Sequence, residues 1–151
     1  MKTGTMRTAV LAIAVSLTTL ASLVALVAPA AAATGKNGRI VFDHLAGGRF
    51  DVFTVGAMGG VSGPLTTGQG VGAADAYYSP DGRRIVYTRI VSTGPTQTDL
   101  WVMNEDGSNP RALTPGVPGV DTQAAFSPDG RRIVFYRDAD VWVINADGSG
   151  A

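Results

Sequence analysis

The chain repeats eight consecutive residues letter for letter. Residues 79–86 read Ser-Pro-Asp-Gly-Arg-Arg-Ile-Val, and residues 127–134 repeat them 48 positions later. A second shared block follows each copy, because residues 99–108 match residues 140–149 at a spacing of 41. A repeat of this period indicates an array built from one supersecondary unit. The segment between the two blocks is shorter in the later copy, so the unit combines a fixed frame with a variable insert.

Within each unit, short runs rich in Ile, Val, Phe, Tyr and Trp are bounded by Gly, Pro, Asp and Asn, which is typical of strands joined by tight turns. In Ser-Pro-Asp-Gly the proline presets its φ angle, and the glycine accepts the left-handed conformation that closes the turn. The predicted strands of the fullest unit are residues 85–87, 100–103, 111–114 and 122–126. Four short antiparallel strands per period predict the blade of an all-β propeller.

A degenerate copy of the unit comes first, at residues 38–42 and 51–55, so the chain holds about two and a half blades. We place the units at about 38–81, 82–129 and 130–151. The repeated pattern resembles the repeat of TolB-like β-propellers over residues 38–151. It consists of Phe or Tyr before Ser-Pro-Asp-Gly-Arg-Arg-Ile-Val, followed by Asp-x-Trp-Val-x-Asn-x-Asp-Gly. This resemblance implies exported adaptor proteins, or the propeller domains of prolyl-oligopeptidase-like hydrolases.

Residues 1–33 have the composition of a secretory signal peptide. Lys2 and Arg7 precede an uncharged, mostly apolar run at 9–28, and an Ala-x-Ala cleavage site follows in residues 29–33. The alternative is an uncleaved anchor, because about 20 apolar residues can span a bilayer. The small residues after the run favour cleavage. We therefore expect a secreted or periplasmic protein, with residues 34–151 as a partial propeller and no stable membrane insertion.

Charge and cysteine content exclude several classes of function. The whole chain has 12 basic and 12 acidic side chains, and removal of the signal peptide takes away two basic ones. A slightly acidic protein is a poor match for nucleic acid or an anionic membrane. Because the chain has no cysteine, disulfides and thiolate metal sites are excluded. We predict no cofactor and no metal.

The predicted array is too short to close a ring, since propellers have at least four blades. Its last unit stops after the third strand, and the first starts at the second strand. Open ends expose unpaired backbone and apolar sheet surfaces. We therefore expect a fragment of a longer propeller, or a short chain that associates with copies of itself.

The connections separate into two sets that predict a binding surface. The Ser-Pro-Asp-Gly and Asn-x-Asp-Gly turns are nearly constant and fall on one face of the blades. The second-to-third connections (44–50, 89–98, 137–139) and the fourth-to-first connections (67–74, 115–121) vary and fall on the other, which we call the variable-loop face. Binding residues concentrate on variable loops held by a rigid scaffold. Its polar candidates for ligand binding are His44, Arg49, Arg89, Gln97, Asp121, Arg137 and Asp138.

Other polar and aromatic repeats have structural interpretations. We expect Trp101 and Trp142 to pack between neighbouring blades. The turn aspartates should hydrogen-bond their own turns, since no EF-hand spacing surrounds them. The arginine pairs 83–84 and 131–132 follow the turns on the constant face, where we expect them to pair with acids of neighbouring blades; the alternative is a contact with a peptide or carboxylate. His44 is the only histidine and lacks companions at metal-ligand spacing.

No catalytic motif occurs in the chain. It has no Gly-x-Ser-x-Gly and no His-Glu-x-x-His, and one histidine leaves little basis for a triad. The leading hypothesis is an exported, non-enzymatic binding or scaffold module for a protein, peptide or cell-envelope ligand. The alternative is the start of a propeller belonging to a prolyl-oligopeptidase-like serine hydrolase whose catalytic domain is missing. A carbohydrate-active propeller ranks lower because the variable-loop face offers few aromatic residues.

Overall fold

The computed structural model of the chain describes residues 38–68 and 70–150. The chain divides after residue 30, and all described residues belong to the second unit, residues 31–151. The predicted signal peptide at 1–33 lies outside the described residues. Within the described part, no helix is long and apolar enough to cross a membrane.

The second unit is all-β, as predicted, and its sheets are antiparallel. Ten strands follow each other along the chain: β1 (Arg39–Ala46), β2 (Arg49–Gly56), β3 (Gly63–Pro64), β4 (Gly72–Tyr78), β5 (Arg84–Thr93), β6 (Thr96–Asn104), β7 (Arg111–Ala112), β8 (Asp121–Phe126), β9 (Arg132–Arg137) and β10 (Asp140–Asn145). Each predicted strand overlaps one of these strands, but β7 covers only two of the four residues predicted at 111–114.

The strands form three sheets in chain order. The first sheet contains β1 to β3, the middle sheet β4 to β7, and the third sheet β8 to β10, with every strand beside its sequence neighbour. Only the middle sheet has all four strands of the repeat. The second and third units numbered from the sequence begin at β5 and β9. The middle and third sheets begin one strand earlier, at β4 and β8. The first strands β4 and β8 carry a bulge at equivalent positions, Asp75 and Gln123, whose φ angles are 52° and 53°.

The constant turns are held by their own side chains, as predicted. Ser79 Oγ donates to Asp81 Oδ1 at 2.6 Å, and the Arg83 amide donates to the same carboxylate. The Ser127 turn repeats the first of these bonds at 2.6 Å. The hydrogen bond from Ser79 lowers the pKa of Asp81. These aspartates therefore stabilise turns.

Apolar side chains are buried where neighbouring sheets face each other. Between the middle and third sheets lies a cluster that includes Val86, Leu100, Ile133 and Phe135. A second cluster, between the first and middle sheets, joins Val52 to Ala73, Ala76, Ile85, Tyr87 and Met103. The middle sheet therefore supplies one side to the first sheet and the other side to the third. This arrangement resembles face-to-face packing of β-sheets, whose inner side chains interdigitate.

A glycine contact recurs at each junction. The turn glycine Gly107 of the middle sheet packs on Leu65 of the first sheet, and Gly148 of the third sheet packs on Leu113 of the middle sheet. Both glycines have positive φ angles, +84° and +90°. The repeated turn therefore fixes the spacing between sheets as well as closing a hairpin.

Two expectations from the sequence are corrected. The connections predicted at 44–50 and 89–98 are mostly strand, because β1 and β2 continue to a turn at residues 47–48 and β5 and β6 to a turn at 94–95. Arg84 meets no acid on the neighbouring sheet. Its Nη2 donates to the Gly130 carbonyl at 3.1 Å, and its guanidinium lies 5.1 Å from the centre of the Phe126 ring. A carbonyl and an aromatic ring satisfy this arginine, since the facing turn presents its backbone.

Replacement of the junction glycine should cost more than replacement of its unpacked counterpart. Gly107→Ala places a Cβ 3.2 Å from the Leu65 carbonyl oxygen, whereas a Cβ on the repeat-equivalent Gly59 (φ +86°) meets nothing within 4 Å. Both variants should lose about 1–2 kcal/mol from the left-handed backbone. Gly107→Ala should lose about 1–3 kcal/mol more from overpacking. Urea unfolding of both variants measures the difference, and equal losses would contradict the role of the junction contact.

Candidate functional site

Each sheet carries the same polar and aromatic arrangement near its variable-loop face. A basic residue of β1, β5 or β9, the second strand of the repeat, lies opposite an aspartate of β2, β6 or β10, the third strand. The pairs are His44–Asp51, Arg89–Asp99 and Arg137–Asp140. Two residues further along the third strand, an aromatic ring contacts the same basic side chain. The pairs are His44–Phe53 at 5.5 Å, Arg89–Trp101 at 4.2 Å and Arg137–Trp142 at 5.1 Å. Because the aromatic ring is fixed in its strand, each basic group is held in place by a cation–π or edge contact.

In the third sheet the basic residue forms a buried ion pair. Arg137 donates to Asp121 through Nε at 2.6 Å and through Nη2 at 2.8 Å. The side chains are 9% and 1% exposed. The paired carboxylate raises the pKa of Arg137. A two-point contact of this kind fixes both side chains where β8 and β9 meet the variable-loop face.

In the middle sheet the equivalent arginine has no acid opposite it on the first strand, β4. Arg89 lies opposite Ala73, which occupies the position that Asp121 has in the third sheet. Its guanidinium stacks instead on Trp101. The same repeat position therefore gives a neutralised arginine in one sheet and an arginine on an aromatic ring in the next.

Asp99 is a buried carboxylate between these two arginines. It is 6% exposed, and its Oδ1 has no hydrogen-bond partner in the described structure. Burial raises the pKa of Asp99, and the Asp121 charge raises it further, while a hydrogen bond from Gln97 and the charges of Arg137 and Arg89 act in the opposite direction. An unpaired oxygen in a buried site is costly unless the group is neutral or a ligand completes it.

Hydrogen bonds from residues next to Asp99 join the start of β8, and the loop before it, to the middle sheet. Thr98 Oγ1 donates to the Asp121 carbonyl oxygen at 2.6 Å, and the Gln97 side-chain amide donates to the Val117 carbonyl at 3.4 Å. Asp138 holds the neighbouring turn by accepting the Val120 amide at 3.1 Å. The two sheets therefore share one polar network at the variable-loop face.

An open groove of about 480 Å³ borders this network on the third sheet. Its lining comprises Val120, Thr122, Gln123, Tyr136, Asp138 and Ala139. The bulge at Gln123 and the turn at Asp138 shape it. The groove offers hydroxyl, amide, phenol and carboxylate groups, which suit recognition of a polar chain segment.

The first sheet has a separate ion pair. Arg49 donates to Asp51 through Nη2 at 2.6 Å and Nε at 3.0 Å, and Thr66 Oγ1 donates to the same carboxylate at 3.1 Å. The hydrogen bond from Arg49 lowers the pKa of Asp51. Arg49 Nη1 also reaches the Gly70 carbonyl at 3.4 Å, next to the Arg89 guanidinium.

The structure brings five of the seven predicted site residues together. Arg89, Gln97, Asp121 and Arg137 interact with Asp99, and Asp138 interacts with Arg137. Arg49 lies across the Gly70 segment, and His44 is exposed on β1 against Phe53. A ligand-binding role for these seven residues stays a prediction.

The sequence analysis did not include Asp99 among the candidate site residues. It predicted packing between blades for Trp101 and Trp142 but not their contacts with arginines. Asp99 begins the second shared block, so its recurrence as Asp51 and Asp140 was a usable signal. Trp101 packs against the core between the first and middle sheets, as expected, but it also supports Arg89. Trp142 is 40% exposed and lies beneath Arg137, outside the core between the middle and third sheets.

Among the described residues, no group of three or more His, Asp or Glu side chains could hold a metal ion. The network pairs carboxylates with guanidinium groups. This is the chemistry of charge-complementary recognition.

The three stacked antiparallel sheets define the class as blades of a β-propeller. No family model matches the chain. It is 57% identical over 44 residues to the Tol-Pal system protein TolB of Anaeromyxobacter dehalogenans strain 2CP-C, a match of 29% of this chain and 9% of that protein. The chain therefore has homology to TolB over part of its length.

Solved structures show the same fold. A TolB-type protein from Agrobacterium tumefaciens matches with a TM-score of 0.66 and 26% identity, over 77% of this chain and 44% of that one. TolB from Acinetobacter baumannii matches with a TM-score of 0.62 and 22% identity, over 76% and 29%. The tricorn protease matches at 0.54 and 17%, over 74% and 11%. The last two show the fold alone. The chain spans less than half the length of each of these proteins.

Removal of the buried arginine should destabilise the protein strongly. Arg137→Ala leaves the Asp121 charge buried without its partner, which typically costs about 3–5 kcal/mol. The comparison variant is Arg49→Ala, because the Arg49 side chain is 28% exposed and Asp51 keeps its hydrogen bond from Thr66, so this variant should lose less stability. Urea unfolding measures both losses. Similar losses would show that Arg137 is not the anchor of the network.

Replacement of Asp99 should stabilise the protein at neutral pH. A carboxyl whose pKa is raised on folding binds its proton more tightly in the folded state, so its ionisation lowers stability as the pH rises through the folded pKa. Asp99→Asn removes that cost. Its advantage should be present at about pH 7 and absent below about pH 3, where the aspartate is protonated in both states.

The control is Asp140→Asn, at the exposed repeat-equivalent position, which should change stability by less than about 0.5 kcal/mol. Urea unfolding of both variants across this pH range tests the sign. A loss of stability in Asp99→Asn at about pH 7 would show that the carboxylate is satisfied rather than strained.

Proposed function

We propose that the chain is an exported, non-enzymatic β-propeller module that binds a protein or peptide of the cell envelope on its variable-loop face. The observation that carries the proposal is the network around Asp99. Buried charges and one unpaired carboxylate oxygen converge there, and an open polar groove adjoins the network through Val120 and Asp138. The constant turns on the opposite face use their aspartates internally, so they leave less binding chemistry free.

Similarity to TolB supports the cell-envelope part of the proposal. The relative from Anaeromyxobacter dehalogenans is named for the Tol-Pal system, and its identity to this chain is high over the matched residues. The N-terminal composition of residues 1–33 supports export, and export would give a periplasmic or secreted location. The groove supports an extended, polar segment of a protein as the ligand.

Binding to a purified Pal protein of a Tol-Pal system tests the proposal. The full chain should bind it, and Asp138→Lys should weaken the affinity by about tenfold, or 1.4 kcal/mol. Asp138 lies in the groove, is exposed, and fixes the Val120 amide. Affinity should fall as salt rises, because exposed charges are screened. Isothermal titration calorimetry at two ionic strengths gives both quantities.

Glu105→Lys is the matched control, since Glu105 is an exposed acid of a constant turn. It should leave the affinity within about twofold of the unmodified chain. Equal weakening by both variants would place the contact elsewhere. No binding to Pal would remove the Tol-Pal ligand from the proposal.

A further inference from the structure

Two arginines of the middle sheet lie on the side that faces the third sheet, near the constant turns. Arg84 is opposite Asn104 in the register of β5 and β6. Arg111 is opposite Val102 in the register of β6 and β7. Because Val102 and Asn104 are two positions apart on β6, they and the residues opposite them share one side of the sheet. Val102 is buried in the cluster between the middle and third sheets, which identifies that side.

Both guanidinium groups are held by the backbone of the third sheet. Arg84 Nη2 donates to the Gly130 carbonyl oxygen at 3.1 Å. Arg111 donates through Nη1 to the Asp147 carbonyl oxygen at 3.1 Å, and through Nη2 to that of Ala146 at 3.2 Å. A guanidinium has five N–H donors, so each group keeps donors beyond these bonds. The bonds also fix each group in advance, which lowers the cost of binding a ligand.

No carboxylate neutralises these two groups directly. Within the described part of the chain, neither Arg84 nor Arg111 forms an ion pair. The charges of Asp81 and Asp147 interact with them through space, but each of these carboxylates already accepts a serine hydroxyl of its own turn. Arg84 is half-buried and Arg111 is exposed. Guanidinium groups with donors to spare are well suited to binding an oxyanion.

The two arginines line one cavity at the junction. Its volume is about 140 Å³, and Asn104 and Asn109 line it with them. Among the described residues that line it, none is acidic, and the four polar side chains present guanidinium and carboxamide N–H donors. Drug-sized ligands occupy cavities of about 300–1,000 Å³, so this one suits a small anion.

The equivalent cavity at the other junction has a different balance of charge. Between the first and middle sheets, one basic and two acidic residues line it: Arg39, Glu105 and Asp106. Gly63 stands there in place of Arg111, because each begins the outermost strand of its sheet. At the second junction Ala146 stands in place of Glu105. Two repeat positions therefore give the second junction one more guanidinium and one carboxylate fewer.

We propose that the cavity lined by Arg84 and Arg111 binds a small tetrahedral oxyanion of the phosphate class, away from the variable-loop face. The two guanidinium groups donate to different oxygens of the anion, and the Asn109 carboxamide donates to a third. A tetrahedral anion presents oxygens in several directions, as two separately fixed donors require, whereas a carboxylate presents two oxygens in one plane. A phosphate group carries about −1.5 to −2 charges at pH 7, which matches two arginines.

Titration with inorganic phosphate, followed by NMR of the Arg84 and Asn104 side-chain N–H signals, tests the site. Sodium chloride keeps the ionic strength constant, so screening does not change during the titration. The full chain should show saturable shifts with a Kd on the order of 1 mM. Arg111→Gln should weaken the affinity by at least about tenfold, because it removes one guanidinium.

Asn109→Asp should weaken the affinity by at least as much, because it places a carboxylate in the cavity. Its fold should be retained, since Asn109 has a φ angle of 52° and aspartate also tolerates the left-handed region. Affinity unchanged within about twofold in both Arg111→Gln and Asn109→Asp would overturn the site.

Arg83→Gln is the matched control, because Arg83 is an exposed arginine beside Arg84 that does not line the cavity. It should leave the affinity within about twofold of the unmodified chain. Equal weakening by Arg83→Gln and Arg111→Gln would show attraction by general charge and overturn the site. Shifts that do not saturate up to about 50 mM phosphate would overturn it as well.

Acetate and glycerol 3-phosphate identify the class of anion. Acetate should bind at least about tenfold more weakly than phosphate, and equal binding would overturn the phosphate class. Glycerol 3-phosphate that binds as tightly as inorganic phosphate would support a phosphate group carried by a larger molecule. Binding of the inorganic ion alone would support the free ion as the ligand. None of these outcomes bears on Pal binding, so this proposal and the proposed function fail independently.

Discussion

Face-to-face packing of sheets is the interaction on which the rest of the structure depends. None of the three sheets has a core of its own, since each buries its apolar side chains only against a neighbour. The turn glycines make this packing close, because a Cβ at Gly107 or Gly148 would press on a leucine of the preceding sheet. A repeat unit of this kind is stable only as part of an array. The same requirement leaves apolar surface open on the first and third sheets.

The rigid frame explains how charges can be buried at the variable-loop face. Asp121 is nearly inaccessible, yet it is ionically paired because strand register places it opposite Arg137. The repeat puts an arginine at the same position of the middle sheet but supplies alanine across from it. The spare arginine stacks on Trp101, and the nearby Asp99 is left with an unpaired oxygen. Divergence at one position of a regular frame is therefore enough to create a polar site.

Much of this fold could be predicted from the sequence, because its determinants are local. The Ser-Pro-Asp-Gly turns and the short β-branched runs specify strands and hairpins without any distant contact. The bulges at Asp75 and Gln123 could not be predicted, since both residues adopt positive φ angles that ordinary propensity disfavours. The contact of Arg84 with a carbonyl and a ring also depends on how one sheet approaches the next. Local pattern does not encode that approach.

In the candidate site, too, some residues could be predicted from the sequence and others depend on how the sheets pack. Five residues named from the sequence are brought close to one another by the structure. The sequence did not locate Asp99, whose significance depends on burial and on the neighbouring Asp121 charge. Such effects arise only when sheets stack, because each sheet brings charges that are far apart in sequence.

The aspartates on the two faces differ in how fully they are hydrogen-bonded. On the constant turns, each aspartate is satisfied by a serine or an amide of its own turn, and this lowers the pKa of Asp106 and Asp147 as well as of Asp81 and Asp129. A carboxylate stabilised in this way has little to gain from a ligand. On the variable-loop face, Asp99 is desolvated without full compensation, and its pKa moves in the opposite direction. The variable-loop face is therefore the less fully satisfied of the two faces. For this reason recognition is expected at the variable connections, while the constant turns maintain the packing that holds those connections in place.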